Sequence, residues 1–370
     1  MELSNICEYS SKRIDSSLLT VENYVSTENM MQNKGGITLA SKVPVENSVE
    51  FLPGDILISN IRPYFRKIWL SDKKGGCSSD VLCIRALPGT DSTYLYYLLS
   101  QDSFFDYVMS GAKGCKMPRG DKSQIMQWDV DLPNFEEQHR IASILKSIDD
   151  KIQLNNRINH NLEEQAQALY KSWFVDFEPF RGGNFVDSVL GIIPEGWRVG
   201  ELSEIVNIIS GKRPSTKSDY PTSTNTVPVY GASGIMAYTT DKLYDIPILL
   251  IGRVGTLGIV QKIYEKSWPS DNTLVIMSNN YHFVYFILNN IDYKAINRGS
   301  TQPLITQSDI KQQMVLIPPE KVLMSFEQKA NILDNAIKNN DTAIMNLALL
   351  RDTLLPKLMS GELKINDLTC

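Results

Sequence analysis

Residues 135–177 read FEEQHRIASILKSIDDKIQLNNRINHNLEEQAQALYKSWFVDF. The stretch holds neither Gly nor Pro and is rich in Glu, Gln, Ala, Leu, Ile and Lys. Apolar residues recur at steps of three and four: Ile141, Ile144 or Leu145, Ile148, Ile152, Ile158, Leu162, Ala166, Leu169 and Trp173. That period puts one apolar stripe on a helix and carries it far past ordinary globular length. At ~1.5 Å per residue, Glu136 to Phe174 predicts a helix on the order of 58 Å long. Such a helix, with so narrow a seam, needs a second long helix to cover it.

The chain supplies one between Glu327 and Leu358, with a stripe through Leu333, Ile337, Ile344, Leu347, Leu354 and Leu358. Its seam repeats the first at a constant spacing: Ile148 to Leu333, Ile152 to Ile337, Leu162 to Leu347, Leu169 to Leu354 and Trp173 to Leu358 (333 − 148 = 185). Asn155 and Asn340 match at the same spacing, and both fall where the seam calls for an apolar residue. Two readings stand for them: buried polar residues that fix register, or polar residues at a frayed position.

The rest of the chain repeats too. In FLPGDILISNIRPYFRKIWL, strands are predicted over Asp55–Asn60 and Arg66–Leu70 around a turn at Arg62-Pro63, with a third over Val81–Ala86. Tyr94–Met109 is amphipathic and predicts one helix; WDVDLPNF predicts a short strand ending at Pro133. Between helix and strand lies a basic, Gly-rich loop, SGAKGCKMPRGDKSQ. The second half answers with ISGKRPSTKSDYP, the Gly-broken strand VPVYGASGIMAYT, the strand–turn–strand ILLIGRVGTLGIVQKIY, SDNTLVIM, the helix HFVYFILNNIDY and the loop NRGSTQPLITQSDIKQQMVLIPP. Pro118 and Pro303, Ile125 and Ile310, and Pro133 and Pro318 keep the spacing of 185. Glu137-Gln138 and Glu327-Gln328 do not; they lie 190 apart, which suggests a longer lead-in to the second helix. The predicted fold is α+β with a pseudo-two-fold internal repeat: mixed α/β domains over 1–134 and 182–319, long helices over 135–181 and 320–370. The helices would pair as an antiparallel coiled coil with the two domains at opposite ends, a frame suited to two separated sites on duplex DNA.

Composition sets bounds. The chain has 370 residues, 42% hydrophobic and 21% charged, as ordinary soluble domains do. No run is long enough to span a membrane, and the N-terminus lacks the apolar core of an export signal. Five cysteines (Cys7, Cys77, Cys83, Cys115, Cys370) without a CxxC pair point to reduced thiols in a cytoplasm. His139, His160 and His282 are not spaced as metal ligands. A net charge of −5 excludes coating nucleic acid by bulk charge but leaves room for local basic loops.

The phrases LPNFEEQHRIASILKSIDDKIQLNNRINHNLEEQAQALYKSWF, ISGKRPS, VPVYGASGIMAYT, ILLIGRVGTLG, WPSDNTLVI and LLPKLMSGEL resemble the DNA-specificity subunit of Type I restriction-modification systems. The resemblance covers nearly the whole chain, more closely in its second half. It implies that each globular domain is a target recognition domain reading half of a bipartite sequence. It implies that the helices space these domains and dock two methyltransferase (modification) subunits, and that restriction/translocase subunits join the complex. Adenine methylation and cleavage would belong to those partners, with S-adenosylmethionine, ATP and Mg bound there and no cofactor or metal on this chain.

The absent motifs agree. There is no G-x-x-x-x-G-K-[ST] loop and no Asn-Pro-Pro or Asp-Pro-Pro methyltransferase tetrapeptide. Gly252-Arg253-Val254-Gly255 leads into a strand rather than a helix, so it reads as a tight hairpin before a phosphate loop. Candidate DNA contacts are basic, amide and aromatic side chains on loops. In the first domain these are Arg62, Tyr64, Arg66, Lys113, Lys116, Arg119 and Lys122. In the second they are Lys212, Arg213, Lys217, Tyr230, Arg253, Arg298, Ser300 and Gln302. Trp173, Phe174 and Phe177 either close the coiled coil or form an apolar patch for a partner. Two other classes stand beside this reading: a coiled-coil scaffold binding other polymers, and a nuclease using Asp245, Glu265 and Lys266, which lack the usual Pro-Asp…Glu-x-Lys order.

Overall fold

The computed structural model describes residues 1–114 and 116–365. The chain divides into two compact units, Met1–Asn156 with Asp341–Cys370, and Arg157–Asn340. The division runs through both long helices, so each unit joins one α/β domain to a piece of each helix.

The helices are Phe135–Phe174 and Glu320–Met359, each 40 residues. Both their starts and their ends are 185 positions apart (320 − 135; 359 − 174), so the second helix has no longer lead-in. The Glu-Gln match at 190 is a coincidence of letters. Gln138 is buried and bonds the Asp91 amide at 2.9 Å and the carbonyls of Gly89 and Pro133. Glu327 instead accepts the amides of His282 at 3.1 Å and Phe283 at 2.8 Å, capping a domain helix.

Along the seam, Ile148 and Asn155 are buried, while Ile152, Leu162, Leu169, Leu333, Ile337, Asn340, Leu347 and Leu354 are half-buried. Ile158 lies exposed and the stripe passes through Asn159, which is buried and accepts a hydrogen bond from Asn340 Nδ2 at 2.8 Å in unit two. A satisfied amide pair of this kind specifies register at some cost in stability.

Each domain carries a four-stranded antiparallel sheet of the same order. In unit one it runs Cys7–Tyr9, Val81–Ala86, Ile56–Ser59, Ile68–Leu70; in unit two Asn207–Ser210, Thr273–Met277, Ile248–Gly252, Val260–Ile263. Each also has one short parallel pair, Tyr24–Val25 with Gly75–Cys77 and Val227–Gly231 with Trp268–Pro269. The segment Gly231–Gly234 turns VPVYGASGIMAYT into a hairpin.

Two further expectations are corrected. Tyr94–Met109 is not one helix but two, Ser92–Leu99 and Asp102–Ser110. The Ser100 hydroxyl bonds back to Tyr96 O at 2.6 Å, Gln101 is extended, and Asp102 opens a new first turn. WDVDLPNF forms only an isolated bridge, Glu2 with Asp129. Its counterpart Met314–Ile317 is a full strand, paired along its length with Arg198–Glu201.

Helix and domain share a core in each unit, built from matching positions. In unit one Ile141, Leu145, Leu355, Leu358 and Met359 are buried with Leu3, Tyr94, Phe104 and others. In unit two the same places hold Phe326, Ala330, Tyr170, Trp173 and Phe174, against Trp197, Phe283 and Phe286. Trp173, Phe174 and Phe177 therefore belong to the core of unit two rather than to an open patch.

A carboxylate clamp recurs as well. Asp149 accepts the Tyr97 hydroxyl at 2.6 Å and Arg351 Nη1 at 2.8 Å. Asp334, 185 positions on, accepts the Tyr264 hydroxyl at 2.7 Å, Lys262 Nζ at 2.8 Å and Lys338 Nζ at 2.9 Å. His282 joins it, with Nδ1 2.7 Å from Glu327 Oε2 and Nε2 3.5 Å from Asp334 Oδ2, within ion-pair reach but too long for a strong hydrogen bond. Burial works against ionised Asp334, but His282, Lys262 and Lys338 outweigh it and hold the carboxyl far below its usual range.

Removing one member of a buried ionic cluster strands the others. Asp334→Ala should cost unit two about 3 kcal/mol, measured by denaturant unfolding. Burial likewise disfavours charged His282, yet Asp334 and Glu327 carry its pKa above the ordinary value. A raised histidine stabilises fully below its unfolded pKa of about 6.5 and loses that contribution as pH climbs through the folded value. The stability gap between wild type and His282→Gln should shrink as pH rises from about 6 into the alkaline range. Asp334, held low, stays ionised throughout that window; a gap that widened instead would place the proton elsewhere.

Candidate nucleic-acid interface

The Gly-rich loop of each domain is tied to the turn after a central strand by the same backbone bonds. In unit one the Arg62 amide donates to Pro118 O at 2.8 Å, the Gly120 amide to Asn60 O at 3.4 Å, and the Asn60 amide to Asp80 O at 2.8 Å. Lys113 and Arg119 exchange both backbone bonds, at 2.9 and 3.0 Å. In unit two the Gly255 amide donates to Pro303 O at 3.0 Å, Ile305 to Arg253 O at 3.0 Å, Arg253 to Asn272 O at 2.8 Å and Arg298 to Leu304 O at 2.9 Å. Pro118 and Pro303, Gly120 and Ile305, and Lys113 and Arg298 are all 185 apart. One backbone knot occurs twice.

Glycine holds the same place in both loops. Gly114 has φ +101°, and a Cβ there would meet Met117 O at 3.3 Å; at Gly299 it would meet Gln302 O at 1.8 Å. The loop can fold back this tightly only without a side chain.

The side chains on the knot differ. In unit one Arg119 pairs with Asp80 at 3.0 Å, Lys113 with Asp121 at 2.7 Å, and Arg66 with Asp102 at 3.0 Å. Asp121 also caps Lys122–Met126 and is held below its usual pKa, first by Lys113 and then by the Gln124 and Ser123 amides. In unit two Arg298 Nε reaches Asp309 at 2.8 Å, inside the capping box of Gln307–Lys311. Burial opposes ionised Asp309, but the Thr306 bonds and Arg298 keep its pKa low. Lys113 and Arg298 thus spend their charge bracing the loop onto a helix start.

Arg62, Tyr64 and Arg66 share the turn that the loop Lys113–Lys122 is tied to. Tyr64, Lys116, Arg119 and Lys122 are exposed there, and Lys122 Nζ stands 5.9 Å from the Tyr9 ring. In unit two Arg253 joins Arg298, exposed Ser300 and exposed Gln302 at the knot. Arg213, 3.5 Å from Asp271, and Lys212, whose amide bonds Pro269 O at 3.0 Å, flank the same Pro269–Asn272 segment. Tyr230 meets it through its carbonyl, which accepts the Ser270 amide at 2.9 Å; its phenol faces Glu265 at 3.4 Å and burial lifts it to about 12. Lys217 lies apart, where Ser218 bridges Tyr238 on the outer strand of the hairpin. Asp245 is taken up by Lys242. Among the described residues no group of three or more His, Cys, Asp or Glu side chains is placed to hold a metal ion, and no helix is long and apolar enough to cross a membrane.

Sequence reasoning missed the turn at Asn33-Lys34, both left-handed, whose amides bond Phe65 O and Arg66 O at 2.9 Å. The Asn-Lys-Gly-Gly turn composition was the available signal. With Gln101, Asp102, Arg351 and Asp352 these residues line a cleft of about 420 Å³ in unit one.

The chain is similar over 381 residues, at 28% identity, to the Type I restriction enzyme MjaIX specificity subunit of Methanocaldococcus jannaschii, covering 95% of this chain and 87% of that one. It is 22% identical to the HindI specificity subunit of Haemophilus influenzae, over 98% of each. Its fold is similar to the crystal structure of a Type I restriction-modification S subunit from M. genitalium, with a TM-score of 0.64, 15% identity, and coverage of 97% and 95%. The family model described as Type I restriction modification DNA specificity domain matches residues 1–164 and 194–347, and the chain belongs to that family.

Proposed function

We propose that the chain reads a two-part duplex DNA sequence, one half with each unit, and performs no covalent chemistry itself. Methylation and cleavage are carried by partners, two methyltransferase subunits and the restriction/translocase subunits, which hold S-adenosylmethionine, ATP and Mg.

The observation that supports this reading is the repeated knot. A shared backbone with different side chains is what two readers of different half-sites need: Asn60, Arg62 and Arg119 in one, Arg253, Gly255 and Leu304 in the other. Direct readout depends on side chains projected into a groove from a rigid base. The long helices, each unbroken over 40 residues, favour a fixed gap between the halves. Exposed apolar side chains on the second helix, Met345 and Leu349 in unit one and Met324 and Ile332 in unit two, suit a methyltransferase surface. Such a soluble subunit would work in the cytoplasm.

Mapping of methylated adenines in cells expressing this chain with its methyltransferase partner should return two short specific halves around a constant gap. A single continuous motif, or none, would count against the proposal. Lys116 and Lys122 are exposed and form no ion pair among the described residues, which suits phosphate contact. Replacing both by Ala should weaken binding to every sequence alike and reduce the slope of log K against log salt by about two. An altered motif would assign them to bases instead.

A further inference from the structure

Among the described residues five non-glycine positions have left-handed φ, and four meet at one corner of unit one: Asn33 (53°), Lys34 (62°), Arg62 (51°) and Arg66 (51°). Unit two forms the corresponding turn with Gly255 (84°) and Gly258 (83°). Glycine enters this region freely, whereas a side chain with a Cβ resists it. Unit one thus keeps arginine at two places where its own repeat uses the relaxed solution. Strain that persists beside a cheap alternative points to a use for the side chain.

The two arginines differ in what they do locally. Arg66 Nη1 lies 3.0 Å from Asp102, which also meets Lys34 Nζ at 3.4 Å. Its backbone carbonyl takes the Lys34 amide. Arg66 therefore fastens the corner together. The Arg62 backbone is tied too, its amide donating to Pro118 O, but its side chain has no such duty. Its guanidinium forms no ion pair among the described residues, its Nε is buried without a hydrogen-bond partner, and its Cζ stands 6.0 Å from the Phe65 ring centroid. Beside it, Arg119 and Lys113 are spent on Asp80 and Asp121. A guanidinium over an aromatic ring, whose Nη1 and Nη2 form no hydrogen bond or ion pair among the described residues, can offer those two nitrogens to guanine O6 and N7 in the major groove, its buried Nε staying on the protein side.

We propose that Arg62 is a specificity-determining residue of unit one, reading one guanine, and that Arg66 is a positioning residue that holds the turn presenting it. The assignment rests on the DNA reading above and deepens it. Unit two, with Gly255 at that place, makes no corresponding contact.

The test uses the full chain with its methyltransferase partner, comparing wild type, Arg62→Gly and Arg62→Lys by methylation mapping and by thermal unfolding. Arg62→Gly should leave the unfolding midpoint unchanged or higher, because the left-handed position is relieved. It should relax preference at one G·C pair, in one half of the target only, on the order of tenfold to a hundredfold. Arg62→Lys keeps the charge without the fork and should relax the same pair. A lower midpoint for Arg62→Gly would make Arg62 a brace and overturn the assignment. So would a uniform loss over all sequences, which marks a phosphate contact, or an unchanged motif. A wild-type complex that selects no motif would bring down the DNA reading itself, whereas a wild-type motif indifferent to Arg62 strikes this assignment alone.

Discussion

A helix of forty residues with a single apolar stripe cannot cover that stripe by itself, and the architecture follows from this need. In unit one the start of the first helix packs its Ile141 and Leu145 into a core that also takes Leu355 and Leu358 from the end of the second. In unit two Tyr170 and Phe174, from the end of the first helix, share a core with Phe326 and Ala330 from the start of the second. Within each unit the helix pieces therefore run antiparallel, as the pairs Asp149–Arg351 and Asn159–Asn340 also require. The sequence repeat is domain then helix, but the compact unit is a domain with parts of both helices. Residues from the end of the second helix to Ile365 complete the core that also holds Leu3.

Duplication explains how one sequence does this twice. Buried positions on the helices correspond across the 185 spacing, yet their contents have diverged: aliphatic in unit one, aromatic at Phe326, Tyr170 and Trp173 in unit two. Core volume can be redistributed this way if the total is kept. The docking carboxylate was retained, Asp149 and Asp334, each receiving a tyrosine hydroxyl from its domain. Around Asp334 two lysines and a histidine have gathered, so the same position binds its domain through a charged cluster in one unit and through the Tyr97 hydroxyl in the other.

Much of this was legible in the sequence because it is periodic. The helix stripe, the 185 spacing and the strands at Val81–Ala86 and Ile248–Gly252 depend on local pattern, and pattern survives without coordinates. The clusters of basic loop residues could be grouped by the repeat as well. What escaped depended on backbone bonds between distant segments. Nothing in Arg-Pro-Tyr-Phe-Arg announces two left-handed arginines; their φ values are imposed by the amides of Asn33, Lys34 and Arg62, bonding partners far away in sequence. Nor could composition separate Lys113 and Arg298, committed to helix-capping carboxylates, from Arg62, which is not. Ile158 failed for a related reason: an apolar residue fits the heptad, but the Asn159–Asn340 amide pair claims the buried place.

The division between frame and reader is sharpest at the knot. Its bonds are almost all backbone to backbone, so its shape does not depend on which side chains it carries, apart from the glycine that lets the loop fold back at Gly114 and Gly299. Such a frame tolerates change at Arg62 or Gly255, Arg119 or Leu304, without losing register. The tolerance has a physical limit. A side chain at the left-handed positions raises the energy of the turn, and unit one bears that twice while unit two does not. A frame free to relax at both corners has relaxed at only one, and the difference between the halves lies in the side chains they present rather than in the scaffold that presents them.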